Sequence, residues 1–306
     1  MSFININWYI SLAFCLIFFI SGRQLADVQG GSPRTRGTVG LILLFLAVPS
    51  LLFPFAYIPG AFAASAWYNT FRSINRIELF SSLIAPAVGY ATYRNPDSAY
   101  GAYRTSAQAP FARAIKPLAF PFCVLLISVN FIGPVVRPLD KASEFNDLWV
   151  DNGVYIQSIG PSGGPAALIS AMHGINSYVD DEYNAVKGTY TDRAGTEFWY
   201  LARYALNRGY RTKFIKPQSV EDAPVPSVVR VSRLPADDDG PDYTDGADSV
   251  TRRSRPNTYI ALLKRSGNGT ITVGDPLEGR LALDPGEFKS LYGDPDLALA
   301  LSAPRY

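Results

Sequence analysis

The chain has 306 residues, 48% of them apolar and only 18% charged, with a net charge of +2 and a single histidine. A near-neutral chain whose longest basic block is Arg252-Arg253 is no phosphate-tracking nucleic-acid binder. One histidine excludes a multi-histidine metal site and forces any Cys-His or Ser-His-Asp arrangement to use His173.

Charged residues are scarce from Met1 to about Val136 and frequent afterwards, so the chain divides into a membrane region, 1–137, and a soluble region, 138–306. Apolar runs predict membrane spans at about 3–21, 38–58, 78–93 and 116–137, each judged against a hydrocarbon core of roughly 30 Å crossed at 1.5 Å per residue. The first run lacks a basic segment before it and a small-residue cleavage site, and reads as a retained helix rather than a secretory signal. Pro49 and Pro54 predict a kink in the second. The run from Leu79 to Tyr93 is short and carries Ser81, Ser82 and Pro86, which also fits a re-entrant piece. Arg23, Arg34 and Arg36 in one loop, and Arg94, Arg104, Arg113 and Lys116 in another, share a cytoplasmic side only if all four runs cross. The soluble region is then extracytoplasmic, periplasmic or extracellular. Arg72 and Arg76 count against this arrangement, and a three-span alternative leaves the soluble region in the cytoplasm. Ala61 to Tyr68 suits the membrane interface, with Trp67 and Tyr68 at headgroup level. Cys15 and Cys123, both in apolar runs, read as packing or lipid-facing residues.

Beyond Ala142 the pattern is that of a mixed α+β domain. Val154 to Gln157 predicts a strand, and Pro165 to Met172 a helix with Gly174 past its end. Asp180 to Val186 and Thr196 to Asn207 predict two more helices, the latter capped by Thr196 and ended by Gly209. Tyr259 to Lys264 and Thr270 to Val273 flank the turn Gly267-Asn268-Gly269 as a hairpin, which also explains the Asn268-Gly269-Thr270 sequon. Asp284 to Leu291 reads as a short helix. The acidic stretch 236–248 does not have calcium-loop spacing and reads as a solvated loop.

A Gly-rich turn into a helix, Ser162-Gly163-Gly164-Pro165, is where a nucleophile or anion gains from unpaired backbone N–H groups. Gln157 stands six positions before Gly163. With Gly164 to Leu168, Gly195-Thr196, Asn207 to Tyr210, Thr258 to Leu262 and Val273 to Pro276, this order resembles the bacteriocin-processing, double-glycine-type peptidases, a papain-like branch of the cysteine peptidases. The similarity runs from about Tyr155 to Tyr292. It implies a papain-like peptidase fold in which Gln157 is the oxyanion-hole glutamine and Asp275 the orienting aspartate.

Two departures matter. Gly163 falls at the cysteine position, and Thr258, or Asn257 with the register shifted by one, at the histidine position. Without thiolate or imidazole the papain-type acyl transfer has neither nucleophile nor base. The expected site is therefore a vestigial one of Gln157, Ser162, Gly163, Thr258 and Asp275, with no catalytic residues, cofactor or metal. Ser162 reads as a turn residue, His173 as a helix-end residue far from Gly163, and Asp275 as a turn former before Pro276. The chain reads as a membrane-anchored, inactive peptidase-like protein that binds other membrane proteins or a peptide segment. Two alternatives stand beside it: a substrate-receptor subunit of a peptide exporter, and a hydrolase using Ser162 or another non-cysteine nucleophile.

Overall fold

The structure is a computed structural model that describes residues 6–28, 33–53, 62, 64–93, 108–129, 139, 145, 148–150, 153–176, 180–232 and 258–303. The acidic stretch 236–248, Asn257 and Pro54 lie outside the described residues. Among the described residues, the first half of the chain holds five α-helices: α1 (Ile6–Val28), α2 (Pro33–Ala47), α3 (Ala66–Ser73), α4 (Ile84–Tyr93) and α5 (Gln108–Ser128). Contacts divide the chain into two compact units, one of Ile4–Phe62 and Arg76–Val136, the other including Ala63–Asn75 and Arg137–Tyr306. Helix α3, although flanked by apolar segments in sequence, thus belongs to the second unit.

In the first unit, α1 packs along α4. The crossing is close because both helices lack side chains there: a Cβ on Gly22 would lie 2.2 Å from the Pro86 carbonyl oxygen, and one on Gly89 only 2.4 Å from that of Phe19. Close backbone approach at small residues is the packing mode available to helices in lipid, where the hydrophobic effect between them is absent. Helix α5 completes the cluster with Ala119, Cys123 and Ile127 against Cys15 and Phe19, and the Trp8 indole donates to Ser128 Oγ at 3.1 Å. Both cysteines are buried within the unit rather than lipid-facing.

Only α1, over Ile6–Ala26, is long and apolar enough to cross a membrane by itself among the described residues. Gly37–Ser50 and Pro117–Ser128 are shorter apolar helices. The second run is shortened because the α-helix gives way at Pro49 to a 3-10 turn, Val48–Leu52. The third is split into a 3-10 helix, Ile77–Leu83, and the ten residues of α4.

The second unit is built on a six-stranded antiparallel sheet in the order β3-β8-β4-β5-β6-β7, comprising β3 (Arg211–Ile215), β4 (Ser227–Val231), β5 (Thr258–Arg265), β6 (Ile271–Asp275), β7 (Gly279–Leu283) and β8 (Leu297–Ser302). A separate hairpin pairs β1 (Leu148–Val150) with β2 (Val154–Ile156). Among the described residues, four α-helices accompany the sheet: α6 (Gly163–Asn176), α7 (Glu182–Gly188), α8 (Phe198–Asn207) and α9 (Pro285–Tyr292). Strand alternation separates two cores. Tyr259, Ala261, Leu297 and Leu299 meet Leu168, Ile169 and Met172 of α6 and Leu201 of α8. Ile260, Leu262, Ile271 and Val273 on the opposite face meet Phe288 and Tyr292 of α9.

Several ends differ from the sequence reading. Helix α6 runs through Gly174 to Asn176, because Gly174 is exposed and sits in ordinary helix. The cap of α8 is Glu197, not Thr196, whose hydroxyl instead closes a buried chain from Thr189 through Thr191. Helix α7 begins at Glu182 because the Asp181 carboxylate accepts from the Asn184 N–H at 2.6 Å. Tyr68 does not face headgroups: it is buried edge-on against Trp199, centroids 6.2 Å apart. Arg72 is fully buried beside it, its guanidinium 4.6 Å from the Trp199 ring, and Arg203 donates to the Arg72 carbonyl at 2.6 Å.

Candidate functional site

The turn from β2 into α6 is held at both ends by backbone. The Gln157 N–H donates to the Pro276 carbonyl at 2.9 Å, which ties the exit of β2 to the residue following Asp275. Next to it, the fully buried Glu182 carboxylate accepts the Ser158 N–H at 2.9 Å and also the Ser158 hydroxyl. A buried carboxylate is tolerable only when its oxygens are satisfied, and here that requirement fixes the residue beside Gln157. Sequence reasoning missed Glu182, since nothing in a short helix that begins Glu-Tyr-Asn marks its acid as inward-facing.

Ser162 closes the turn. Its N–H and hydroxyl both donate to the Ile159 carbonyl, at 3.1 and 2.7 Å, and its side chain is fully buried. A serine nucleophile must present its oxygen to substrate and its proton to a base. The Ser162 proton goes to a main-chain oxygen instead.

Gly163 opens α6 with φ −55° and ψ −37°, a conformation open to any residue, so the backbone does not require glycine there. What occupies the side-chain space is Gln157: a Cβ on Gly163 would lie 2.6 Å from Gln157 Oε1. The same amide donates through Nε2 to the Gly160 carbonyl at 3.3 Å. The glutamine is therefore folded over the turn and into the position where a side chain at 163 would project. Gly164 is different, since a Cβ there meets Tyr259, Thr196 and Leu201 at 3.2 to 3.4 Å.

Asp275 ends β6 fully buried. One carboxylate oxygen accepts the Leu277 N–H at 2.7 Å and the other accepts the Tyr292 hydroxyl at 2.6 Å. It forms the turn before β7 and braces α9. Thr258 starts β5 opposite Val231, and alternation puts Thr258 and Asp275 on the sheet face that carries Ile260 and Val273, away from the Tyr259 and Ala261 face that meets α6. The Tyr259 hydroxyl donates to the Thr196 carbonyl at 2.7 Å, and burial pushes its phenol above the ordinary tyrosine range against the opposing pull of Arg230.

The lone histidine stands apart. Ten residues along α6 from Gly163, about 15 Å of helix rise, His173 packs against the Trp149 ring, centroids 4.9 Å apart, and over Gly153. The structure thus gathers Gln157, Ser162 and Gly163 into one turn, joins Asp275 to it through Pro276, and leaves His173 outside. Among the described residues no group of three or more His, Cys, Asp or Glu side chains is arranged to hold a metal ion.

No protein-family model matches the chain, and no curated protein does so. Similarity appears among solved structures. A double glycine motif protease from an AMS/PCAT transporter, solved in complex with the leader peptide, aligns at 15% identity over 50% of this chain and 91% of its own, with a TM-score of 0.37. The peptidase domain of Streptococcus ComA, a bi-functional ABC transporter involved in a quorum-sensing pathway, aligns at 21% identity over 53% of this chain and 99% of its own, with a TM-score of 0.34. For the peptidase domain of Streptococcus mutans ComA the corresponding values are 19%, 49%, 99% and 0.33. All three neighbours are proteases or peptidase domains of transporters, at low identity.

Proposed function

We propose that this chain is a membrane-anchored, catalytically inactive peptidase-like protein that serves as a binding or assembly subunit of a membrane protein complex. One observation carries the reading: the Gln157 amide fills the space in front of Gly163, where a papain-like enzyme needs its sulfur. The remaining polar groups of the turn are engaged in holding the fold. Ser162 bonds Ile159, Asp275 bonds the next turn and Tyr292, and Ser158 bonds Glu182. A scaffold kept in this form has binding left to offer, to a membrane protein or a peptide segment, through its surface.

The four-span topology with an extracytoplasmic domain gains support from α3. This helix lies between the second and third apolar segments, yet it shares a core with α8 of the soluble unit through Tyr68, Arg72 and Trp199. The loop that bears α3 and the soluble domain must then share one side of the membrane. The segments at 78–93 and 116–137 lie between them in the chain, so both cross or neither does. A three-span arrangement would part α3 from the domain it packs in. Arg72, one of the two charges against an outer placement, is buried inside that core.

Purification of the full chain in a gentle detergent, with identification of stoichiometric co-eluting proteins, tests the reading. Recovery of a membrane complex other than an exporter supports an assembly subunit, and recovery of a peptide exporter points to the receptor form instead. A lone protein that turns over acyl or peptide substrates, and loses that activity in Ser162→Ala, overturns the proposal in favour of a hydrolase.

A further inference from the structure

Helix α3 sorts its residues by face. Tyr68, Asn69, Arg72 and Ser73 are buried in the soluble unit, whereas Trp67 is 60% exposed and Ile74 51%. Phe71, half-buried, stacks on Trp67 with centroids 5.9 Å apart and planes 8° from parallel. Positions 67 and 71, four apart on α3, lie on one helix face with the uncharged Thr70 beside them, and Ile74 follows just past the helix end. A single exposed apolar side chain needs no explanation, but a stacked Trp and Phe followed by an exposed Ile marks a contact surface.

We infer that this ridge seats in a phospholipid bilayer: Trp67, Phe71 and Ile74 enter the boundary between headgroups and acyl chains, and α3 holds the soluble domain on the membrane surface. The inference rests on the membrane-anchored reading above. Chain connection is what identifies the occupant. Only Ile74, Asn75 and Arg76 separate α3 from Ile77, where the 3-10 helix leading into α4 begins. Four extended steps reach at most about 14 Å, and the polar layer on each side of a bilayer is roughly 5 to 8 Å thick. A helix tethered that closely and presenting an indole outward has the composition of an interfacial helix, since tryptophan favours the headgroup level and the opposite face of α3 is already committed to protein. The buried face also explains why α3 carries an arginine with no lipid to meet: Arg72 faces Trp199.

The test uses the full chain in nanodiscs of phosphatidylcholine and phosphatidylglycerol, with bromine placed at shallow or deep positions of the acyl chains. Bromine quenches nearby indoles, and the chain has four, at Trp8, Trp67, Trp149 and Trp199. Trp67→Phe is expected to remove a component quenched more by shallow than by deep bromine. Trp8→Phe, in α1, reports on membrane insertion itself. If Trp8→Phe reduces the quenching and Trp67→Phe leaves it unchanged, the bilayer seat is wrong while the anchored reading stands. If neither substitution changes it, both fail. Because phenylalanine replaces an exposed indole, Trp67→Phe should fold, and unchanged circular dichroism checks that it does.

Discussion

Gly89 and Gly163 are both helical glycines without a positive φ, and they are glycine for unlike reasons. At Gly89 a Cβ would meet the Phe19 carbonyl oxygen at 2.4 Å, main chain of a packed helix that has nowhere to go. At Gly163 it would meet Gln157 Oε1 at 2.6 Å, the free end of a side chain with three rotatable bonds. The distances are nearly equal, but the stiffness behind them is not. In the helical unit the missing side chain is a condition of the fold. At the turn before α6 the space a side chain would take is held by one flexible side chain.

The largest effect is therefore expected at the α1 and α4 crossing. Gly89→Val should force the helices apart and cost at least about 1–3 kcal/mol, the usual range for overpacking, with more where backbone must shift. Gly22→Val, facing Pro86, should behave alike. The measurement is the thermal midpoint and the monodisperse fraction of the full chain in detergent. Wild-type values for both variants would mean that the crossing is not close-packed, and the contrast with Gly163 would collapse.

Next comes the polar brace of the site. Tyr292→Phe deletes the hydroxyl that donates to Asp275 and with it one hydrogen bond to a buried carboxylate, at a cost of about 1–3 kcal/mol. Asp275→Ala should destabilise by a similar amount, because it also frees the Leu277 N–H. Urea denaturation of the two variants reads the loss. A functional aspartate would instead tolerate Asp275→Ala with stability intact.

Smaller still is the effect of Tyr259. Its folded-state phenol titrates above the unfolded value because burial disfavours the phenolate. The stabilisation is fully present below the unfolded tyrosine value of about 10, and it is lost as pH rises from there through the folded value. Tyr259→Phe should lose roughly 1 kcal/mol at neutral pH with the bond to Thr196, while flattening the alkaline limb of stability against pH. An unchanged alkaline limb would show that another group governs it.

What was legible in the sequence follows the reach of the interactions. The hairpin around Gly267-Asn268-Gly269 and the helix begun by Asp284 are local: Gly269 has φ 89°, and Asp284 with Glu287 forms a reciprocal capping box. Strand β8 was not legible, because Leu297-Ala298-Leu299-Ala300-Leu301 is made of helix formers and becomes a strand only through β3 and β4 on its two sides. Arg72 read as a topological charge, and its contact with a ring 127 residues later in the chain has no local signature. The same holds at the site, where spacing singled out Gln157 and Gly163 but not that one lies in the other's space.

That last contact yields the smallest expected effect and the sharpest use of the comparison. In Gly163→Ala the Gln157 amide must swing away, giving up only the 3.3 Å bond to Gly160. Alanine at an ordinary helical φ and ψ also lowers the entropy of the unfolded chain, a gain of about 0.4–1 kcal/mol that offsets the lost bond. The net change in stability should stay within about 1 kcal/mol of zero, against a clear loss for Gly89→Ala measured in the same way. Adding Gln157→Ala should make the alanine at 163 more favourable, since the obstructing atom is gone. If instead Gly163→Ala destabilises as strongly as Gly89→Ala, and Gln157→Ala relieves it, then the glutamine is held rigidly in the empty site and closure of that site is itself part of the fold.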